Sequence, residues 1–124
     1  MNKKTRNDLQ TIAILGATGH IAKSIINSFN DESSFLLHLF SRSIEKTASF
    51  INEHGINNAY NNIYSQFNEF EYSSIINCTG VGDPSILRSH PTEVFLITEE
   101  VDLLVINYLK KYTQTTYINF SSGA

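Results

Sequence analysis

Residues 11–22 read Thr-Ile-Ala-Ile-Leu-Gly-Ala-Thr-Gly-His-Ile-Ala, and the change of pattern within this stretch decides the fold. Thr11 to Leu15 is a short apolar run closed by Gly16, the pattern of a buried strand. From Gly19 onward, Ile21, Ile25, Ile26 and Phe29 recur at helical spacing and define one apolar face. The junction, Gly16-Ala17-Thr18-Gly19-His20-Ile21-Ala22, has the form G-x-x-G-x-x-A. Gly16 permits a tight turn off the strand. Gly19 has no side chain to keep an anion from the backbone, and Ala22 is small enough for close helix-to-strand contact. The free N–H groups at the helix N-terminus would then face phosphates. A ligand-free glycine turn is the plainer alternative. The strand before the motif and the amphipathic helix after it favour the phosphate reading.

Outward from this unit the same alternation repeats. Phe35 to Phe40 (FLLHLF) is a second buried strand. Ser43 is a suitable N-cap for a helix carrying Ile44, Ala48 and Ile51, and Gly55 sits where a C-cap glycine belongs. Ile56 to Ile63 is asparagine-rich and reads as a third strand, with one or two helical turns over Gln66 to Phe70. Ser74 to Thr79 (SIINCT) is a fourth strand, followed by a Gly80-Val81-Gly82-Asp83-Pro84 loop. A long helix is expected from about Thr92 to Tyr112, with Ile97, Val101, Leu104, Val105 and Tyr108 on one face and Lys110 and Lys111 at its negative end. Thr116 to Phe120 closes the series as a fifth strand. Strands alternating with helices imply right-handed crossovers and a parallel sheet covered on both faces. The expected fold is therefore a three-layer α/β Rossmann domain with strand order 3-2-1-4-5.

Composition bounds the partners. A chain of 124 residues suits one domain. Residues 1–10 are expected to form a flexible tail and residues 11–124 the domain itself. Twelve acidic against nine basic residues, with no Lys/Arg stripe, argue against nucleic acid. A single cysteine, Cys78, excludes an intrachain disulfide and any multi-cysteine metal site. The histidines (His20, His38, His54, His90) are scattered, so no metal is expected. The apolar runs are too short to span a bilayer, and no signal-peptide core follows the basic N-terminus, so the setting expected is cytoplasmic, without membrane contact.

The end of the second strand bears on the cofactor. Where a dinucleotide's adenosine ribose would lie, the sequence is Phe40-Ser41-Arg42-Ser43. There is no acid to accept from the ribose hydroxyls, and Arg42 offers a guanidinium suited to a 2′-phosphate. NADP is expected in preference to NAD.

The glycine motif, Ser41-Arg42, the stretch Ile75-Ile76-Asn77-Cys78-Thr79-Gly80 and the closing Ile118-Asn119-Phe120-Ser121-Ser122-Gly123-Ala124 together resemble an extended or atypical short-chain dehydrogenase/reductase, the NAD-dependent epimerase/dehydratase group. The resemblance implies that Gly16, Thr18, Gly19, His20 and Ile21 surround the pyrophosphate, and that Ser41 and Arg42 meet the adenosine ribose or its phosphate. It also implies that Asn62 and Ile63 stand in the place of the family's Asp-hydrophobic pair beside adenine. Cys78, Thr79 and Gly80 would line the cofactor, and Ser122 would match the catalytic Ser/Thr. A nucleotide sugar is the substrate class implied. The family's Tyr-x-x-x-Lys acid/base pair is absent, since none of the six tyrosines is followed by lysine four residues on. The expectation is the cofactor-binding portion of a longer enzyme, ending before that pair. The alternative is a stand-alone dinucleotide-binding module without chemistry. An uncovered edge at the fifth strand would favour a homodimer.

Overall fold

A computed structural model describes residues 9–80 and 91–121. The chain runs β1 (Gln10–Leu15), α1 (His20–Phe29), β2 (Phe35–Phe40), α2 (Ile44–His54), β3 (Ala59–Asn62), a 3-10 helix η1 (Tyr64–Glu69), β4 (Ser74–Gly80), α3 (Pro91–Lys111) and β5 (Thr116–Ser121). The five strands form one sheet in the order β3-β2-β1-β4-β5, and every neighbouring pair is parallel. The expected Rossmann-like α/β order is the observed one. Expectations placed on residues 1–8, on the loop over 81–90 and on Ser122 lie outside the described residues.

The register explains why each strand is apolar on both sides. Ile14 sits level with Leu39 on one neighbour and with Ile76 on the other. These residues, with Ile12, Leu37 and Cys78, form one face, closed by Ala22 and Ile26 of α1 and Phe50 of α2. The alternate residues Ala13, Leu15, Phe40 and Ile75 form the other, closed by Phe67 and Tyr72 and by Val101, Val105 and Tyr108 of α3. A parallel sheet needs both covers, because neither face can be left to water. Of the seam expected on α3, Val101, Val105 and Tyr108 are buried and Leu104 is half-buried, while the Ile97 side chain lies outside the described residues.

Helix α2 starts and stops as its caps dictate. The Ser43 side chain accepts from the Lys46 N–H at 3.2 Å, and Gly55 ends the helix in the left-handed region. The third strand is shorter than Ile56 to Ile63 for a local reason. Ile56 donates its N–H to the Ile51 carbonyl, closing α2, and Asn57 donates to Asn30 Oδ1, so neither is free for a ladder. At the far end the Ile63 N–H goes to Gln66 Oε1, which starts η1 instead. The first strand begins one residue early, with Gln10 donating to the Ser34 carbonyl. No helix among the described residues is long and apolar enough to cross a membrane.

Candidate nucleotide site at the switch of the sheet

Strand β1 has β2 on one side and β4 on the other, and the helices that follow β1 and β4 cover opposite faces of the sheet. A crevice therefore opens beyond its C-terminal end, the place where such sheets bind ligands. Gly16 stands at that point with φ +73°. A Cβ there would come within 3.0 Å of the Thr79 nitrogen and 3.1 Å of the Cys78 carbonyl carbon. The turn is thus pressed onto the backbone of β4, and only glycine satisfies both the conformation and the space. Gly16 and Ala17 donate to the Phe40 carbonyl at 2.9 and 3.1 Å, which fixes the turn to the end of β2 as well. Gly19 follows as the N-cap of α1, with no side-chain cap and no acid in the first turn. The positive end of the helix therefore has no acid in its own first turn to complement it. Ala22 is fully buried under the helix, as its small size suggested.

The β4 side of the crevice is shaped by residues that the sequence did not single out. Asn77 is buried and donates its amide to the Tyr117 hydroxyl at 2.9 Å. Its Oδ1 accepts from the Thr79 N–H at 3.0 Å and the Thr79 hydroxyl at 2.6 Å. This wedge sits where the β4–β5 register shifts, between Asn77 and Gly80, and it presents the Cys78–Thr79 backbone to Gly16. Cys78 itself faces the first core, and burial pushes its thiol up to about 11. It stays a neutral thiol at ordinary pH and lines the site only through its backbone.

Of the residues expected at the ribose, Arg42 is exposed and Ser41 is buried. The Ser41 hydroxyl bonds Thr47 Oγ1 at 2.7 Å and donates to the Ser43 carbonyl, so it braces the turn from which Arg42 projects. Asn62 is buried too. Its amide nitrogen lies 3.2 Å from His38 Nδ1 and donates to the Tyr60 carbonyl. That nitrogen donates, so Nδ1 accepts and the His38 proton sits on Nε2. Burial lowers the His38 pKa, which holds the ring neutral between Phe70 and Tyr60. The Asn62 amide nitrogen is thus engaged within the protein, and the neighbouring Ile63 is exposed. His20 and Ile21 are exposed on the first turn of α1, and Thr18 is half-buried in the loop.

Tyr64 completes the site. Its hydroxyl accepts from the Gly16 N–H at 3.0 Å and donates to the Phe40 carbonyl at 3.4 Å. Burial pushes this phenol up to about 12, so it acts as a neutral hydrogen-bonding strut. Beside its ring a cavity of about 300 Å³ is lined by Arg42, Tyr64, Ser65, Glu100, Val101 and Leu104.

The structure therefore brings together Gly16, Gly19, Arg42 and the Cys78–Thr79 backbone, and adds Asn77, Tyr64 and Tyr117. The sequence marks neither Tyr64 nor Tyr117 for this role, and only their hydrogen bonds reveal it. Chemically, the arrangement can hold an anion at α1, a cation-seeking group at Arg42 and a flat ring beside Tyr64. Gly80 ends β4 opposite Ser121, at the rim of the same crevice. No protein-family model matches the chain, and no curated protein matches it.

Proposed function

We propose that this chain binds a nicotinamide dinucleotide, NADP in preference to NAD, as the cofactor domain of an oxidoreductase, epimerase or dehydratase similar to the short-chain dehydrogenases. The observation that carries the reading is Gly16: a left-handed glycine walled by the β4 backbone, at the switch of a parallel sheet, ahead of a helix N-terminus free of acids and side-chain caps. In that arrangement the pyrophosphate sits against the first turn of α1, where backbone N–H groups and the helix dipole favour negative charge. The adenosine ribose lies toward Arg42, whose guanidinium pairs with a 2′-phosphate in a forked geometry. With no Tyr-x-x-x-Lys pair in these residues, the reading assigns cofactor binding to this chain and no proton transfer. A nucleotide-sugar substrate follows from the family resemblance alone. Strand β5, an outermost strand among the described residues, supports self-association by strand pairing along that edge.

The test is calorimetric titration with NADPH and NADH. NADPH is expected to bind more tightly. Arg42→Gln should weaken NADPH by about tenfold or more while leaving NADH nearly unchanged, since one charge-assisted contact is removed. Absence of binding by both cofactors overturns the reading, and tighter NADH overturns the preference.

A further inference from the structure

The cavity beside Tyr64 lies between η1 and α3, on the side of the sheet away from α1. Its volume of about 300 Å³ is at the lower limit for ligand pockets, enough for one ring system and too small for a whole dinucleotide. Its walls have two characters. Val101, Leu104 and the Tyr64 ring are apolar or aromatic and suit a flat heteroaromatic ring. Arg42 and Glu100 carry opposite charges on the same lining. Tyr64 joins this pocket to the glycine turn, because its hydroxyl is 3.0 Å from the Gly16 nitrogen and the residue lines the cavity.

We infer that Glu100 reads the base of the bound nucleotide by accepting a hydrogen bond from an exocyclic amine, so that the site selects an amino-purine over an oxo-purine. This rests on the dinucleotide reading above and goes beyond it by assigning the base reader to α3. The position that the family resemblance gives to this role is Asn62, at the end of β3, but Asn62 is buried against His38 and does not line this cavity. Glu100 is exposed on the lining, and a carboxylate only accepts. It therefore favours a ring bearing N–H₂ and is mismatched with one bearing a carbonyl at the same place, where two acceptors would face each other. Arg42, with only donors, is left to the ribose phosphate.

The experiment compares NADPH with its deaminated analogue, nicotinamide hypoxanthine dinucleotide phosphate in reduced form, by calorimetric titration of the whole chain. The unmodified protein is expected to prefer NADPH by about tenfold or more. Glu100→Gln, an exposed substitution that keeps shape and can turn its amide to donate, should bring the two ligands within about twofold of each other. Arg42→Gln should weaken both ligands together and leave their ratio in place. Equal binding of the two ligands by the unmodified protein, or an unchanged ratio in Glu100→Gln, overturns the assignment of Glu100 while the dinucleotide reading stands. Failure of both ligands to bind overturns the dinucleotide reading itself, and this assignment with it.

Discussion

Two turns of this chain are made by a glycine in the left-handed region: Gly16 at φ +73°, between β1 and α1, and Gly55 at φ +60°, after α2. Their φ angles are nearly alike and their surroundings are opposite. A Cβ on Gly55 would meet nothing within 4 Å, whereas one on Gly16 would press on the backbone of Cys78 and Thr79. Gly55 is a stop signal: it ends α2 and lets the next residue, Ile56, donate back to Ile51. Gly16 is a contact: its lack of a side chain lets two strand ends meet, and the crevice of the sheet is built on that approach. Positive φ alone therefore does not mark a site. Positive φ with backbone on the open side does, because strand ends that close leave a groove defined to fractions of an ångström.

The largest effect is expected from Gly16→Ala. Left-handed strain of about 1–2 kcal/mol adds to an overpacking cost of about 1–3 kcal/mol, since the neighbouring atoms are backbone and cannot turn aside. Thermal unfolding should show Tm lower by about 10 °C, with NADPH binding lost as well. A variant as stable as the parent would mean that the two strand ends are not in contact. Next comes Gly55→Ala, which carries the conformational strain without the clash and should cost about 1 kcal/mol. Gly55→Asn should cost less, because asparagine tolerates this region. Neither should alter NADPH affinity by more than about twofold, since the turn is remote from the crevice. Equal losses of stability from Gly16→Ala and Gly55→Ala would break the comparison.

The same contrast shows what the sequence could and could not disclose. The strands, the helices and the caps of α2 are legible locally, because each depends on neighbours within about ten residues, and the strand order follows from the fold that their alternation implies. Gly16 was legible as a turn glycine, since its pattern lies between a strand and a helix. Its contact with Thr79 was not, because 63 positions separate them and nothing local encodes the approach. The family resemblance gave Asn62 a place beside the ligand, but its amide faces His38, a residue of the adjacent strand β2. Nothing local in the sequence marks Tyr64, yet it holds the turn from 48 positions away. Long-range hydrogen bonds leave no periodic trace, so the site is less legible than the fold that carries it.

Gly19 supplies the smallest effect on stability and the clearest separation of fold from site. Unlike the two left-handed glycines, it has φ −77° and ψ 161°, an extended conformation open to any residue. It is the N-cap of α1, and no side chain caps that helix. Aspartate is among the best N-cap residues, better than glycine by a few tenths of a kcal/mol, and its charge also suits the helix dipole. Gly19→Asp is therefore expected to hold Tm constant or raise it by one or two degrees. It also puts a carboxylate where the pyrophosphate would receive the first-turn N–H groups. NADPH binding should fall below detection although the protein is no less stable. If Tm instead drops by several degrees, Gly19 is needed for the fold, as Gly16 is. If NADPH still binds, the phosphates do not sit at α1. A stable protein that has lost its ligand would show that the missing cap on α1 is the ligand's place, supplied by a phosphate rather than by a side chain of this chain.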